Sequence, residues 1–274
     1  MREISVRGLS FAYDPDKMVL QDINLDVPAG QFVCLLGQSG CGKSTLLRLL
    51  MGLESPTAGE ILLDGESIRG PSLDRGAVFQ DYGLFPWMTA GENIVLALEQ
   101  RFPTWGKKRW REAAARRLQE VGLAESVYRK LPRELSGGMQ QRCAIAQAFA
   151  IEPSVLLMDE PIGALDAVTR AMLQDLVLEL CARQEPRKTV FFVTHDVDEA
   201  LLLATRIVVL GQTPSRIIYD HTIPEEQRPT RETQFERADV LKLRNELIRQ
   251  INRDVANRRI EASTEDNSVE QNLS

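Results

Sequence analysis

Phe32-Val33-Cys34-Leu35-Leu36-Gly37-Gln38-Ser39-Gly40-Cys41-Gly42-Lys43-Ser44 is a run of apolar residues entering a Gly-rich turn that closes on Lys-Ser. A short, unbroken apolar run of this kind reads as a strand buried on both faces. The spacing from Gly37 to Gly42-Lys43-Ser44 is the phosphate-loop pattern, and the helical period then continues to Met51 before Gly52 closes it. Strand, loop and helix together form the context that the pattern requires. Glycines let backbone N–H groups curl around phosphate oxygens, the helix N-terminus adds its positive dipole end, and Lys43 supplies a point charge. Ser44 offers a hydroxyl to Mg²⁺. The competing reading, a Gly-rich turn of purely structural purpose, leaves the Lys-Ser ending without a reason.

Upstream, residues 4–27 show short β-rich segments broken at Asp14-Pro15-Asp16, with a second break at Pro28-Ala29-Gly30, which predicts antiparallel strands. Downstream, a turn over 55–59 leads to strands at 61–63 and 77–79. The pattern becomes helical over 91–121, with Trp110, Ala114, Leu118 and Val121 on one face. Strand and helix then alternate: 155–158, 166–181, 190–193 and 198–204, the order expected of a parallel sheet. A hairpin is predicted over 216–223, a Pro-bearing linker over 224–229, a polar helix over 235–255, and a disordered acidic tail over 263–274. The predicted fold class is α/β: a P-loop NTPase core with a mixed or parallel sheet, an N-terminal antiparallel β subdomain and an α-helical subdomain at about 88–152. Residues 1–223 make one domain and 224–274 the linker, helix and tail. No internal repeat is present.

The 274 residues, 43% hydrophobic and 26% charged, suffice for one large α/β core. No apolar run reaches the roughly 18 residues needed to span a bilayer, because Arg48 and Arg206 interrupt the two longest. Met1-Arg2-Glu3 opens no signal-peptide apolar region, which predicts residence in the cytoplasm. The four cysteines, Cys34, Cys41, Cys143 and Cys181, lack any C-x-x-C spacing, so neither a zinc site nor a disulfide framework is expected. A net charge of −6 argues against a nucleic-acid partner, and the basic cluster at 107–117 reads as a solvated helix face.

Val155-Leu156-Leu157-Met158-Asp159-Glu160 ends an apolar strand in two carboxylates. A buried strand should not end in paired negative charge without a partner, and Mg²⁺ is the partner expected for Asp159. Glu160, one residue on and pointing elsewhere, is the candidate that orients and deprotonates an attacking water. The other reading of Glu160 is a cap on the following turn. His195 ends the strand 190–194. A lone His is usually structural, yet the C-terminal ends of parallel strands are where ligands bind, which favours contact with a γ-phosphate. A second anion-binding pattern, Leu135-Ser136-Gly137-Gly138-Met139-Gln140-Gln141-Arg142, opens another helix.

With these motifs in this order, the chain over residues 4–211 resembles the nucleotide-binding subunit of an ATP-binding cassette transporter. The resemblance implies ATP and Mg²⁺ as ligands and ATP hydrolysis as the activity. It implies that Tyr13 stacks on adenine and that Gly37, Gln38, Ser39, Gly40, Cys41, Gly42, Lys43, Ser44 and Thr45 hold the phosphates. Ser44, Gln80 and Asp159 would hold the metal, while Glu160, His195, Lys43 and Gln80 would carry the catalysis. Ser136, Gly137, Gly138 and Gln140 would close on the ATP held by a second nucleotide-binding subunit, so that two ATPs lie between the chains of a homodimer. Asp166, in Ala164-Leu165-Asp166, would communicate across that interface.

The loop 81–89 would receive a helix of an integral membrane permease fed by an external solute-binding protein, placing the subunit on the inner face of the membrane. Residues 76–81, 85–89 and 238–249 resemble importers for nitrate, sulfonate and taurine. A soluble cassette ATPase of DNA repair or translation would carry tandem cassettes or a coiled-coil insertion, and a non-hydrolysing regulatory module would lack Glu160 or His195. Three positions depart from the usual pattern: Ile162 for Phe, Gln147 for Arg, and Cys41 inside the phosphate loop. Cys41 reads either as a small residue that simply fits the loop or, at a helix N-terminus that lowers its thiol pKa, as a readily alkylated thiol that ATP protects.

Overall fold

The computed structural model describes residues 2–163, 165–182 and 187–271, with side chains in the last helix to residue 256. Strands β1 (Ile4–Ala12) and β2 (Met18–Val27) form the predicted antiparallel pair, followed by β3 (Phe32–Leu36), helix α1 (Lys43–Met51), β4 (Ala58–Leu63), β5 (Glu66–Ser67) and β6 (Arg75–Val78). Helices α2 (Ala90–Arg101), α3 (Lys107–Glu120) and α4 (Gly137–Ala150) come next. They are succeeded by β7 (Val155–Asp159), α5 (Ala167–Ala182), β8 (Thr189–Val193), α6 (Val197–Leu203), β9 (Arg206–Leu210), β10 (Ile217–Thr222) and α7 (Ala238–Gln271).

Two sheets result. One has the order β2-β1-β4-β5 and is antiparallel; the other has the order β10-β9-β3-β8-β7-β6 and is parallel except at its β10 edge. Every residue of β3 and β8 is buried, which accounts for their unbroken apolar sequences. The strand period of two divides them between separate cores. Val33, Leu35, Phe191 and Val193 face α1 and the antiparallel sheet. Cys34, Leu36, Val190 and Phe192 face the helices on the other side. The phosphate loop therefore leaves the middle of a sheet covered on both faces, a stiff platform for a site on its C-terminal edge.

The stripe predicted on 91–121 is present: Ala114, Leu118 and Val121 are buried, and Trp110 packs against them. The stripe lies on α3 and its C-cap, and the helical span is divided into α2 and α3 where Phe102-Pro103-Thr104-Trp105-Gly106 interrupts the period; Trp105 stacks on Phe102 there at 4.1 Å between ring centroids. The predicted hairpin over 216–223 is a single strand, β10, whose antiparallel partner is β9. The turn lies at 211–216, where the Gly211 N–H donates to the Arg216 carbonyl. The terminal helix also departs from expectation. It runs to Gln271 instead of ending at 255, so most of the span read as a disordered acidic tail is helical, and 272–274 fall outside the described residues. No Pro or Gly follows Pro229, and Ala, Glu and Arg in this stretch are good helix formers.

Candidate nucleotide site

The phosphate loop is shaped by positions that admit no side chain. A Cβ on Gly37 would stand 2.6 Å from the Cys41 sulfur, and one on Gly42, whose φ is +95°, would stand 2.9 Å from Leu20. Lys43 opens α1 and is 4% exposed. Its ammonium folds back across the loop, donating to the Gly37 carbonyl at 2.8 Å and the Gln38 carbonyl at 2.9 Å. A buried cation held only by neutral carbonyls is short of a counter-charge, and an anion is the stronger partner.

Ser44 and Asp159 meet although they are 115 residues apart, the Ser44 hydroxyl donating to Asp159 Oδ1 at 2.9 Å. Burial pushes the Asp159 carboxyl above its usual range, against the Ser44 hydrogen bond, while the Glu160 charge raises it further. Hydroxyl and carboxylate are hard oxygen donors, and among the described residues this carboxylate forms no ion pair, the Lys43 and Arg48 charges acting on it less than burial does, so the pair fits Mg²⁺ with water and substrate oxygens completing the set.

Glu160 follows β7 with a left-handed φ of +42°, and its N–H donates to the Val193 carbonyl of β8 at 3.2 Å. For a non-Gly residue that conformation costs on the order of 1 kcal/mol and persists only where neighbours impose it. It turns the side chain toward His195, placing Oε2 3.3 Å from His195 Nδ1. His195 is fixed between β8 and α6 because Asp196 caps that helix, accepting from the N–H groups of Asp198 (2.9 Å) and Glu199 (3.2 Å). Glu160 and His195 share a cavity of about 220 Å³ with Gln80, Tyr82, Gln141 and Leu165. Gln80, exposed just after β6, lines the same cavity as Glu160. The alternative reading of Glu160 as a turn cap has a trace: its carbonyl accepts from the Gly163 N–H at 3.3 Å, but its carboxylate is directed to His195.

Tyr13 is 54% exposed. Its ring meets Phe11 edge-on at 4.8 Å, and its hydroxyl lies 3.3 Å from Thr45 Oγ1, so an open aromatic face stands beside the start of α1. On α4 the Ser136 hydroxyl caps the helix by accepting from the Met139 N–H at 3.4 Å. Gly137 and Gly138 form the first turn, and the Gln140 amide donates back to the Leu135 carbonyl at 3.2 Å. Asp166 caps α5 by accepting from the Val168 and Thr169 N–H groups and the Thr169 hydroxyl; these bonds, the one from the Thr169 N–H foremost, hold its carboxyl below the usual range. Ala164, in the same motif, lies outside the described residues.

The loop 85–89 is stapled by Asn93, which is fully buried, donates to the carbonyls of Phe85, Met88 and Thr89, and accepts from the Phe85 N–H. The staple leaves Trp87 73% exposed, and an open groove of about 890 Å³ lies between Thr89, Glu92, Arg111, Tyr128 and Arg129.

One expectation is overturned. Cys41 is 2% exposed, and burial raises its thiol pKa, outweighing the lowering by Lys43 and by the backbone N–H groups of the helix start. Taking the thiolate out of water costs more than the helix end and Lys43 return. Burial also raises the thiols of Cys34, Cys143 and Cys181, the last two to about 12. Iodoacetamide at pH 7.5 is therefore expected to label the folded chain at least about tenfold more slowly than the urea-unfolded chain, with or without ATP; rapid labelling of Cys41 in the folded chain would contradict its burial.

Gln141 was not singled out from the sequence. It is 1% exposed, and neither amide atom has a hydrogen-bond partner among the described residues. A signal existed, since Gln141, Ile145 and Ala148 form one buried stripe of α4 and a polar residue on such a stripe needs a reason.

The ABC transporter family model matches residues 20–163. The nitrate import ATP-binding protein NrtD of Synechococcus elongatus is 44% identical over 232 residues, which are 84% of this chain and 84% of that protein. The bicarbonate transport ATP-binding protein CmpD of the same organism is 43% identical over 244 residues, 88% of this chain and 87% of that protein. Among solved structures, the dimeric post-hydrolysis state of the ATP-binding cassette MJ0796 bound to ADP and Pi superposes with a TM-score of 0.72 at 31% identity, covering 81% of this chain and 99% of that one. No helix among the described residues is long and apolar enough to cross a membrane.

Proposed function

The chain belongs to the ABC transporter family, and from that premise we propose how its site divides the work of ATP hydrolysis. The chain is an ATP-hydrolysing subunit of a membrane importer, of a family whose cassettes dimerise and work with permease subunits. Backbone N–H groups of Gly37, Gln38, Ser39, Gly40, Cys41, Gly42, Lys43, Ser44 and Thr45 hold the phosphates, and the Lys43 ammonium exchanges its two carbonyls for phosphate oxygens. Tyr13 stacks on the adenine. Ser44, Asp159 and Gln80 hold Mg²⁺, which when bound supplies positive charge to the phosphate oxygens.

Glu160 orients a water and takes its proton; His195 holds one carboxylate oxygen, leaving the other for the water, and contacts the γ-phosphate. Ser136, Gly137, Gly138 and Gln140 close on the ATP of a second, identical chain. The observation that carries the reading is the Glu160–His195 contact at 3.3 Å on the wall of the cavity shared with Gln80.

The loop 85–89 with Trp87 and the adjoining groove receives the permease on the inner face of the membrane, and an external solute-binding protein delivers the solute. Residues 1–223 form the cassette, with 88–152 as its helical subdomain, and 224–274 follow it. The solute is a small anion; relatives named for nitrate and bicarbonate import support that class, as do the segments resembling nitrate, sulfonate and taurine importers.

Sharing of the site is tested with a mixed dimer of Ser136→Arg and Lys43→Ala chains. One of its two sites keeps an intact phosphate loop facing an intact Ser136, so ATPase activity on the order of half of wild type is expected where each variant homodimer is inactive. A mixed dimer as inactive as both homodimers would remove the support for a shared site.

A further inference from the structure

Helix α7 makes contacts that the cassette reading does not use. Its buried face runs through Val240, Leu243, Leu247 and Ile251, at the spacing of one helical stripe, and Asp254 is the next position on that stripe. A carboxylate at the end of an apolar stripe needs a donor. Asp254 Oδ2 accepts from the Gln212 N–H at 2.7 Å, and its other oxygen lies so close to Gly211 that a Cβ there would meet it at 2.9 Å. The turn held in this way lies on the phosphate loop. The Gln212 side-chain amide donates to Gln38 Oε1 at 3.2 Å, the Thr213 hydroxyl donates to the Gly40 carbonyl at 3.0 Å, and the Ser215 hydroxyl donates to the Cys41 carbonyl. The Asp254 carboxylate is felt inside the loop: after burial, it is among the influences that raise the Cys41 thiol.

The helix has a second foot about 15 Å away along its axis, ten residues at 1.5 Å each. There Arg244 grips Asp198 with two bonds, of 2.6 and 3.2 Å. Asp198 lies in the first turn of α6, directly after the His195 segment. One helix thus touches the turn beneath the phosphate loop at one end and the helix behind His195 at the other.

We propose that α7 is a strut for the nucleotide site, in which Asp254, anchored through the Arg244–Asp198 pair, positions the phosphate loop by way of Gln212 onto Gln38. Asp254 touches no substrate and acts through another residue, so it is a positioning residue. The proposal rests on residues 37–45 being the ATP site.

The test is a double-mutant cycle on the full chain, read as the Kd for MgATP by titration calorimetry with the melting temperature measured alongside. Asp254→Ala is expected to weaken ATP about fivefold, the worth of roughly one net hydrogen bond. Asp254→Asn, which keeps an acceptor while removing the charge, is expected to stay within about twofold of wild type. In a Gln212→Ala background, where the backbone bond survives but the link to Gln38 is cut, Asp254→Ala should change the Kd by less than about twofold while still lowering the melting temperature. An equal loss of affinity in both backgrounds, or a lowered melting temperature with unchanged Kd in the first, overturns the strut. Lys43→Ala in the same assay separates the two ideas: if it abolishes binding while Asp254→Ala does not weaken it, the strut alone fails, whereas an unmutated chain that binds no ATP removes the site itself.

Discussion

Glu160→Gln is expected to bind MgATP with near-normal affinity and to turn it over about 10³-fold more slowly, within the usual range for loss of a general base. Gln has the same shape and keeps an acceptor oxygen for the contact with His195 Nδ1, so the 3.3 Å pair and the left-handed backbone at this position have no reason to change. What disappears is the capacity to take a proton from water. Hydrolysis then stalls after the dimer has closed, and an ATP-stabilised dimer should accumulate on size-exclusion chromatography in the presence of MgATP. Turnover within about tenfold of wild type would remove Glu160 from the catalytic role.

Lys43→Ala is expected to fail one step earlier, at binding. The ammonium is buried and already oriented across the loop by Gly37 and Gln38. Charge-assisted hydrogen bonds contribute about 1.5–3 kcal/mol each, and two of them to phosphate oxygens correspond to a loss of roughly 10²–10⁴ in ATP affinity. The truncation also leaves two inward carbonyls without their donor. Equilibrium titration of MgATP measures this directly, and a loss of affinity below about fivefold would mean that Lys43 is structural. The two variants separate binding from chemistry: in Glu160→Gln the dimer should form and persist, and in Lys43→Ala it should not form at equal ATP.

Much of this site is legible along the chain because its parts are local. The loop 37–44 needs only glycines, a Lys and a helix start, all contiguous, and the turn Asp196-x-Asp198-Glu199 is a readable helix cap beside His195. What failed to be legible depended on which way a residue faces. Gln140 and Gln141 are adjacent, yet the phase of α4 turns the first back onto Leu135 and buries the second in the cavity beside Glu160. Cys41 reads as an activated thiol when only its helix end is considered. The turn 211–215, which lies far along the chain and packs over the loop, removes it from water, and the cost of burying a thiolate exceeds what the helix end and Lys43 return. The tail over 263–274 reads as disordered from its polarity, whereas α7 continues to Gln271 through a stretch that holds no Pro or Gly to stop it.

The sequence by itself determined the strand, loop and helix of the phosphate-loop pattern, the alternation that makes an α/β fold, and the chemical types at Lys43, Ser44, Asp159, Glu160 and His195, since each rests on spacing within a few residues. Only the tertiary structure decided that Ser44 meets Asp159, that Glu160 meets His195, that Gln141 faces them, and that Asp254 reaches the turn under Gln38. The sheet order β9-β3-β8-β7 sets those meetings by bringing together strand ends that lie far apart along the chain. No local period encodes that order, because it follows from how both faces of the sheet are covered.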